Sequence, residues 1–330
     1  MSSLPLITGM GAALVDLFAD ITDAELSALG SPKASMSLVT PEQSDEMQQK
    51  VAVHTHQPGG SAANTIAGIA ALGIETGFVG KTANDALGAI FTEAFDALNV
   101  AFAPRPAQDL PTGHCLVLVT PDGERTMHTV LGAAVTTASD DLDAAVLSRT
   151  GLFFAEGYIW DSPSAKQAFL AAARQVRAQG GQVAFSLADG FCVERHYDDF
   201  RALLAAHVDI VLANETEIRA LCGTDAPDSV KKELADLGVR GAVTHGADGV
   251  FLCDGADSAH ISAQKIDDVV DLTGAGDQFA AGFLAALHRG LPMARAAEAG
   301  VVAASEVIRH VGPRPQSSVA DALAQAGVTL

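Results

Sequence analysis

The sequence predicts an α/β protein, a mostly parallel sheet covered by helices on both faces, and three observations carry that expectation. Short runs rich in Val, Ile, Leu and Phe alternate with alanine-rich segments of helical period, the pattern of successive β-α units. A stretch of hairpin character interrupts the rhythm. Two glycine-rich turns stand directly ahead of alanine-rich helices.

The elements follow in order. ALVDLFADI and SMSLV, near the N-terminus, read as strands. TGFVGK is a strand followed by the helix of DALGAIFTEAFDALN. GLFFAEGY leads into the helix of SAKQAFLAAARQVRAQG, and GQVAFSLA is the next strand. VDIVLAN runs into the helical ETEIRALCG, GAVTHG is a further strand, and ADALAQAGV is a last amphipathic helix. Residues 112–131 form two alternating stretches around a Pro-Asp-Gly-Glu turn, a hairpin. Together with the N-terminal strands it would build a small β-sheet beside the main one. That places a lid in segments near 12–57 and 101–131. No repeat or Pro/Ser-rich linker divides the chain, so residues 1–330 are expected to form one domain carrying that lid.

Composition narrows the partners. With 330 residues, 48% of them hydrophobic, the chain can bury a large core. It shows neither a basic leader with an apolar run nor the roughly 18 apolar residues of a membrane span, so a soluble, cytoplasmic protein is expected. Cys115, Cys192, Cys222 and Cys253 are scattered and read as core thiols. A formal charge of -20 excludes nucleic acid and anionic membrane as partners. Any phosphate-bearing ligand must then be met locally, by backbone amides, a metal ion and a few placed cations.

Three short motifs carry chemistry. In DLTGAGDQF, a strand-like Val269-Val270 leads through Asp271, Leu272 and Thr273 to Gly274, Ala275, Gly276 and Asp277. A helix then runs to about His288, with Gly290 as its cap. Glycines ahead of a helix let backbone amides approach an anion, although Asp277 also reads as an ordinary N-cap. In PGGSAANT, Gly59, Gly60 and small residues precede another alanine-rich helix, and Asn64 is either a ligand for vicinal hydroxyls or a packed surface residue. In Asn214-Glu215-Thr216-Glu217, Glu217 can reach magnesium through water, or can complete a capping box with Asn214. No G-x-x-x-x-G-K-[ST] loop exists, and Gly9-Met10-Gly11-Ala12-Ala13-Leu14 lacks the third glycine of a dinucleotide fingerprint.

Taken together, Gly59–Asn64, Asn214–Glu217 and Asp271–Asp277 resemble the signatures of the PfkB (ribokinase-like) family of carbohydrate and nucleoside kinases, in the family's order and across nearly the whole chain. The resemblance implies a three-layer α/β/α ribokinase-like fold with a β lid, and a kinase using ATP and Mg2+. It makes Asp277 the catalytic base and gives the anion hole to the amides of Ala275, Gly276 and Asp277, next to Gly274. Asp16, at the end of the first strand, would hold substrate hydroxyls with Gly59, Gly60 and Asn64. The ATP side would take Asn214, Thr244, Gly246, Gly249 and Thr273, with Val301–Ile308 and Gly312 flanking the adenine. Glu217 would reach Mg2+ through water, and Asp271 stands where potassium-using members place a cation ligand. Arg125, in the lid turn, would meet phosphate after closure or remain an exposed hairpin residue. The pattern HTVLGAA and Glu156–Asp161 are most similar to the family's bacterial adenosine kinases. There Tyr158 and Trp160 would stack a base or pack beneath a loop. The expected acceptor is adenosine, with ribose, fructose or another nucleoside as the alternative, and the expected assembly is a monomer or homodimer. At a helix N-terminus Asp277 is expected to have a depressed pKa and to be ionised at pH 7.

Overall fold

The computed structural model describes residues 5–330. In chain order its strands are β1 (Leu6–Met10), β2 (Leu14–Asp20), β3 (Met36–Leu38), β4 (Val53–Gly59), β5 (Thr76–Val79), β6 (Gly113–Val119) and β7 (Arg125–Val130). They continue as β8 (Thr150–Glu156), β9 (Gln182–Ser186), β10 (Ile210–Asn214), β11 (Arg240–Thr244), β12 (Val250–Asp254) and β13 (Asp257–Ile261).

Two sheets result. The larger has the order β13-β12-β11-β10-β9-β8-β1-β5, parallel from β5 to β11 and closed at one edge by the antiparallel β12 and β13. Its interior strands bury nearly every side chain, as Phe153, Phe154, Ala184, Phe185, Ile210 and Val211 do, because helices cover both faces. One apolar cluster holds Ile66, Phe279, Phe283 and Ala296 from one helical layer, and the other holds Phe169, Val176, Phe200 and Leu234. The smaller sheet has the order β3-β7-β6-β2-β4, and its β6–β7 hairpin turns at the expected Pro-Asp-Gly-Glu. Its inner face carries Asp16, Cys115, Met127 and Thr129 into a cavity shared with the larger sheet.

Three expectations are corrected. Val269 and Val270 form no strand and lie exposed in an irregular approach to the glycine turn, tied to the rest of the protein by Val270 N–H donating to Ile308 O. A β-branched pair without a partner strand has no ladder to join. Asp16 sits not at the end of β1 but within β2 of the small sheet. Trp160 is buried against Phe169, Phe185 and Phe200 in the core, where it cannot stack on a ligand.

Candidate active site

The Ala275–His288 helix starts at Gly274, whose φ of +77° favours glycine. A side chain there would also meet Pro313 at 2.5 Å. Ala275 N–H donates to Leu272 O at 3.2 Å, so the anion hole expected from three amides has two uncommitted first-turn donors, Gly276 and Asp277. Gly276 opens onto free space. Those amides and the helix dipole favour an anion at this point.

Asp277 faces the N-terminus of the Ser61–Ala71 helix. Ser61 Oγ donates to its Oδ1 at 2.7 Å and Asn64 Nδ2 to its Oδ2 at 3.1 Å. Part of the residue reaches solvent through the cleft, while the carboxylate is held inside it. Burial raises its pKa to about 6, against the lowering by Ser61, Asn64 and Arg314. The expected depression is therefore corrected: desolvation outweighs the hydrogen bonds and the Arg314 charge together. Asp16, close enough to repel it, is raised by burial to about 7. At Gly59 a Cβ would stand 2.5 Å from either Asp16 carboxylate oxygen and push that carboxylate aside, and Gly60 takes φ +92° at the helix cap.

Two cavities meet at Ser61. One, of about 570 Å³, is lined by Asp16, Gly60, Glu156 and Tyr158 and walled by Leu14, Met36, Leu38, Met127, Leu131 and Phe191. The other, of about 200 Å³, brings Asp277 and Gly276 together with Asn214, Glu217 and Thr244. Tyr158 anchors its hydroxyl on Ala188 O at 3.3 Å.

Several expected ligands have other partners. Asn64 is held at both ends of its amide, by Asp277 and, through Oδ1, by Arg314 Nε at 3.2 Å, which leaves one N–H and one lone pair for any further ligand. Asn214 and Glu217 form a capping box, Glu217 N–H donating to Asn214 Oδ1 at 2.9 Å and Asn214 N–H to Glu217 Oε2 at 3.0 Å. Asn214 Nδ2 occupies Oε1 at 2.6 Å, and burial raises the Glu217 pKa to about 7. With both oxygens engaged, Glu217 fits magnesium only through water, as its place on the smaller cavity allows. Among the described residues no group of three His, Cys, Asp or Glu side chains is arranged to hold a metal by itself.

Asp271 is buried and ion-paired with Arg125, which also donates to Thr273 Oγ1. The Asp271 carboxylate also accepts from Gly312 N–H at 2.8 Å and from Thr273 N–H at 3.0 Å. Arg125 is accordingly no exposed hairpin residue. Gly246 and Gly249 turn the chain between β11 and β12 and line neither cavity; at Gly249, with φ +103°, a Cβ would stand 2.1 Å from Ile261 O.

One site residue stands in the Glu156–Asp161 motif without an assigned role, and another escapes motif reading. Glu156, at the end of β8, is buried and accepts from Ala12 N–H at 2.8 Å and Ala62 N–H at 2.5 Å, with burial raising its pKa to about 7. Arg314 lies in the Gly-Pro-Arg-Pro turn beyond the Met293–Val307 helix, where only the flanking prolines signal a fixed conformation.

A cleft at the carboxyl ends of parallel strands, covered by a second sheet, is the architecture of ribokinase-like sugar and nucleoside kinases. The chain belongs to the PfkB family: residues 24–320 match the family described as pfkB family carbohydrate kinase. A probable sugar kinase from Rhizobium etli CFN 42 superposes with a TM-score of 0.93 at 36% identity, over 99% of this chain and 100% of that one. The adenosine kinase from Sinorhizobium meliloti gives 0.92 at 37% identity, over 98% and 100% of the two chains. The aminoimidazole riboside kinase of Salmonella typhimurium is 30% identical over 70% of this chain and 74% of its own.

Proposed function

We propose that the protein transfers the γ-phosphoryl group of ATP to the 5′-hydroxyl of a ribonucleoside, with adenosine as the preferred acceptor. The observation that carries this reading is the shape of the larger cavity. It sets Asp16 and the buried Glu156 against broad apolar walls, Met36, Leu38 and Met127 on one side and Phe191 on another, with Asp161, Asp189, Glu194 and Arg195 also on its lining. A free sugar has no apolar surface to match those walls, whereas a nucleoside presents a diol to Asp16 and a flat base to them. Similarity to the adenosine kinase of Sinorhizobium meliloti supports the same choice.

In this mechanism Asp277 takes the proton of the acceptor hydroxyl, and the Gly276 and Asp277 amides meet charge on the transferring phosphoryl oxygens. Phosphoryl transfer has a loose transition state, so a carboxylate with a pKa near 6 is strong enough to accept a proton that leaves late. Magnesium brought in with ATP would neutralise phosphate charge, and Glu217 is the carboxylate that would face it through water. Asp16 orients the acceptor, while the ion pair of Arg125 with Asp271 holds the small sheet over the cleft.

The test is ADP release with MgATP over a panel of nucleosides and sugars. Adenosine should give the highest kcat/KM, with ribose and fructose far below it. A sugar at the top of the ranking overturns the acceptor, and no acceptor-dependent ADP release at all overturns the transferase.

A further inference from the structure

The base at residue 277 depends on an amide that could face either way. Asn64 presents Nδ2 to one Asp277 oxygen, at 3.1 Å. Were the amide turned over, a carbonyl oxygen would face a carboxylate and repel it. What fixes the orientation is Arg314, a donor with no acceptor capacity, whose Nε reaches Asn64 Oδ1 at 3.2 Å.

Arg314 is itself rigidly set. Gly312, at φ +106°, gives its N–H to Asp271, and Pro313 packs against Gly274 while its carbonyl accepts from Gln278 Nε2 at 3.0 Å. The guanidinium lies over the Phe95 ring, with Cζ 5.7 Å from its centroid. Nη2 is buried and has no hydrogen-bond partner. The turn that shapes the anion hole therefore also aims a cation at the carboxylates beside it.

We propose that Arg314 is a positioning residue for phosphoryl transfer: it locks the Asn64 amide so that Nδ2 faces Asp277, and supplies the positive charge that faces both Asp16 and Asp277. The proposal rests on the role assigned to Asp277 above. The charged groups around Asp277 are Asp16 on β2, Glu156 at the end of β8 and Arg314, with Arg125 on β7 facing Asp16. Three carboxylates thus share the space, and Arg314 is the cation that opposes two of them. Burial lowers the pKa of Arg314 to about 10, which still leaves it charged at neutral pH.

The experiment compares R314Q, R314K and wild type, with adenosine and MgATP, across pH 5.5 to 9. Without the cation, Asp277 should hold its proton to higher pH. R314Q is then expected to displace the acid limb upward by about one pH unit, losing about two-fold in kcat at pH 7 and nearly ten-fold at pH 5.5, with activity recovered at pH 9. R314K, which keeps a cation and a donor, should return the limb toward its wild-type position. A folded R314Q with the wild-type rate and profile overturns the proposal.

Melting temperature against pH is a second readout, independent of turnover. Asp16 and Asp277 have folded-state pKa values raised above their unfolded ones, so their ionisation destabilises the fold as pH rises, and the loss of Arg314 enlarges that penalty. The gap between wild type and R314Q should widen from pH 5 to pH 8. A gap independent of pH makes Arg314 mere packing on Phe95 and overturns the proposal even if the protein phosphorylates nothing in the panel. A widening gap with no kinase activity sustains the charge coupling and removes only the assigned reaction.

Discussion

Arg125 and Asp271 join the small sheet to the glycine turn: the guanidinium at the start of β7 is paired with the carboxylate that opens that turn, and it reaches Thr273 beyond it. Both side chains are largely buried, so the pair is shielded from salt and removal of one partner strands the other. Arg125→Ala should therefore destabilise the fold by about 3 kcal/mol in urea unfolding. The double variant Arg125→Met with Asp271→Asn, which removes both charges, should recover most of that loss. Because the pair holds the small sheet on the cleft, the single variant should also raise the KM for the acceptor more than it lowers kcat.

Asp277→Asn removes the proton acceptor but keeps the shape and can still accept from Ser61. Steady-state kinetics should give a kcat lowered by roughly 10² to 10⁴, with ATP and acceptor binding near wild type. A near-normal rate would sink the role given to this residue.

The pH dependence of rate and stability should run in opposite directions. Asp277 acts when ionised, so kcat/KM should climb as pH rises through about 6, broadened by its coupling to Asp16 near 7. Stability has the other sign. Asp16, Glu156, Glu217 and Asp277 all have folded pKa values raised by burial, so their protonated forms favour the fold, and that contribution is lost as pH rises through about 6 to 7. Melting temperature should fall from pH 5 to pH 8, and Asp277→Asn should flatten that slope.

What could be read from the chain, and what could not, follows from the range of the forces involved. Local periodicity marks the parallel strands other than β1 and the β6–β7 hairpin, and glycine spacing marks the turn at Gly274, because both are set by near neighbours. The Asp277 pKa was expected to fall because its local setting, a helix N-terminus, is visible in sequence. It rises because the surrounding burial comes from β2, the Ser61–Ala71 helix and the C-terminal turn, which are remote in sequence. Asn64 and Asp271 likewise fit hydroxyl and cation ligands by residue type, and only the fold brings Arg314 and Arg125 against them. Trp160 and Tyr158 are near neighbours in one short 3-10 turn, and only the fold sends the first into the core and leaves the second on the cavity.

Phe191 tests the acceptor. It is exposed, lines the larger cavity and donates nothing to the core, so Phe191→Ala should leave stability within about 0.5 kcal/mol of wild type. If its ring covers the base, the KM for adenosine should rise several-fold with kcat held, while any weak turnover of ribose is unchanged. Equal losses for both acceptors would show that the ring does not touch the base.

The two glycines of the anion turn should respond to alanine in different ways. At Gly274 a side chain faces φ +77° and the Pro313 Cα at 2.5 Å, neither of which can relax without moving the turn that carries Arg314. Left-handed backbone alone costs alanine about 1 to 2 kcal/mol, and the clash adds to it, so Gly274→Ala should lower both melting temperature and kcat. At Gly276 the space is open and the backbone is helical, where alanine is favoured over glycine by up to about 1 kcal/mol. Gly276→Ala should therefore be as stable as wild type or more so. Its new methyl would nevertheless stand on the smaller cavity beside Asp277, where a phosphoryl group must approach the amides. Loss of kcat in a fully stable Gly276→Ala protein, measured beside a destabilised Gly274→Ala, would separate the space the phosphate needs from the conformation the turn needs.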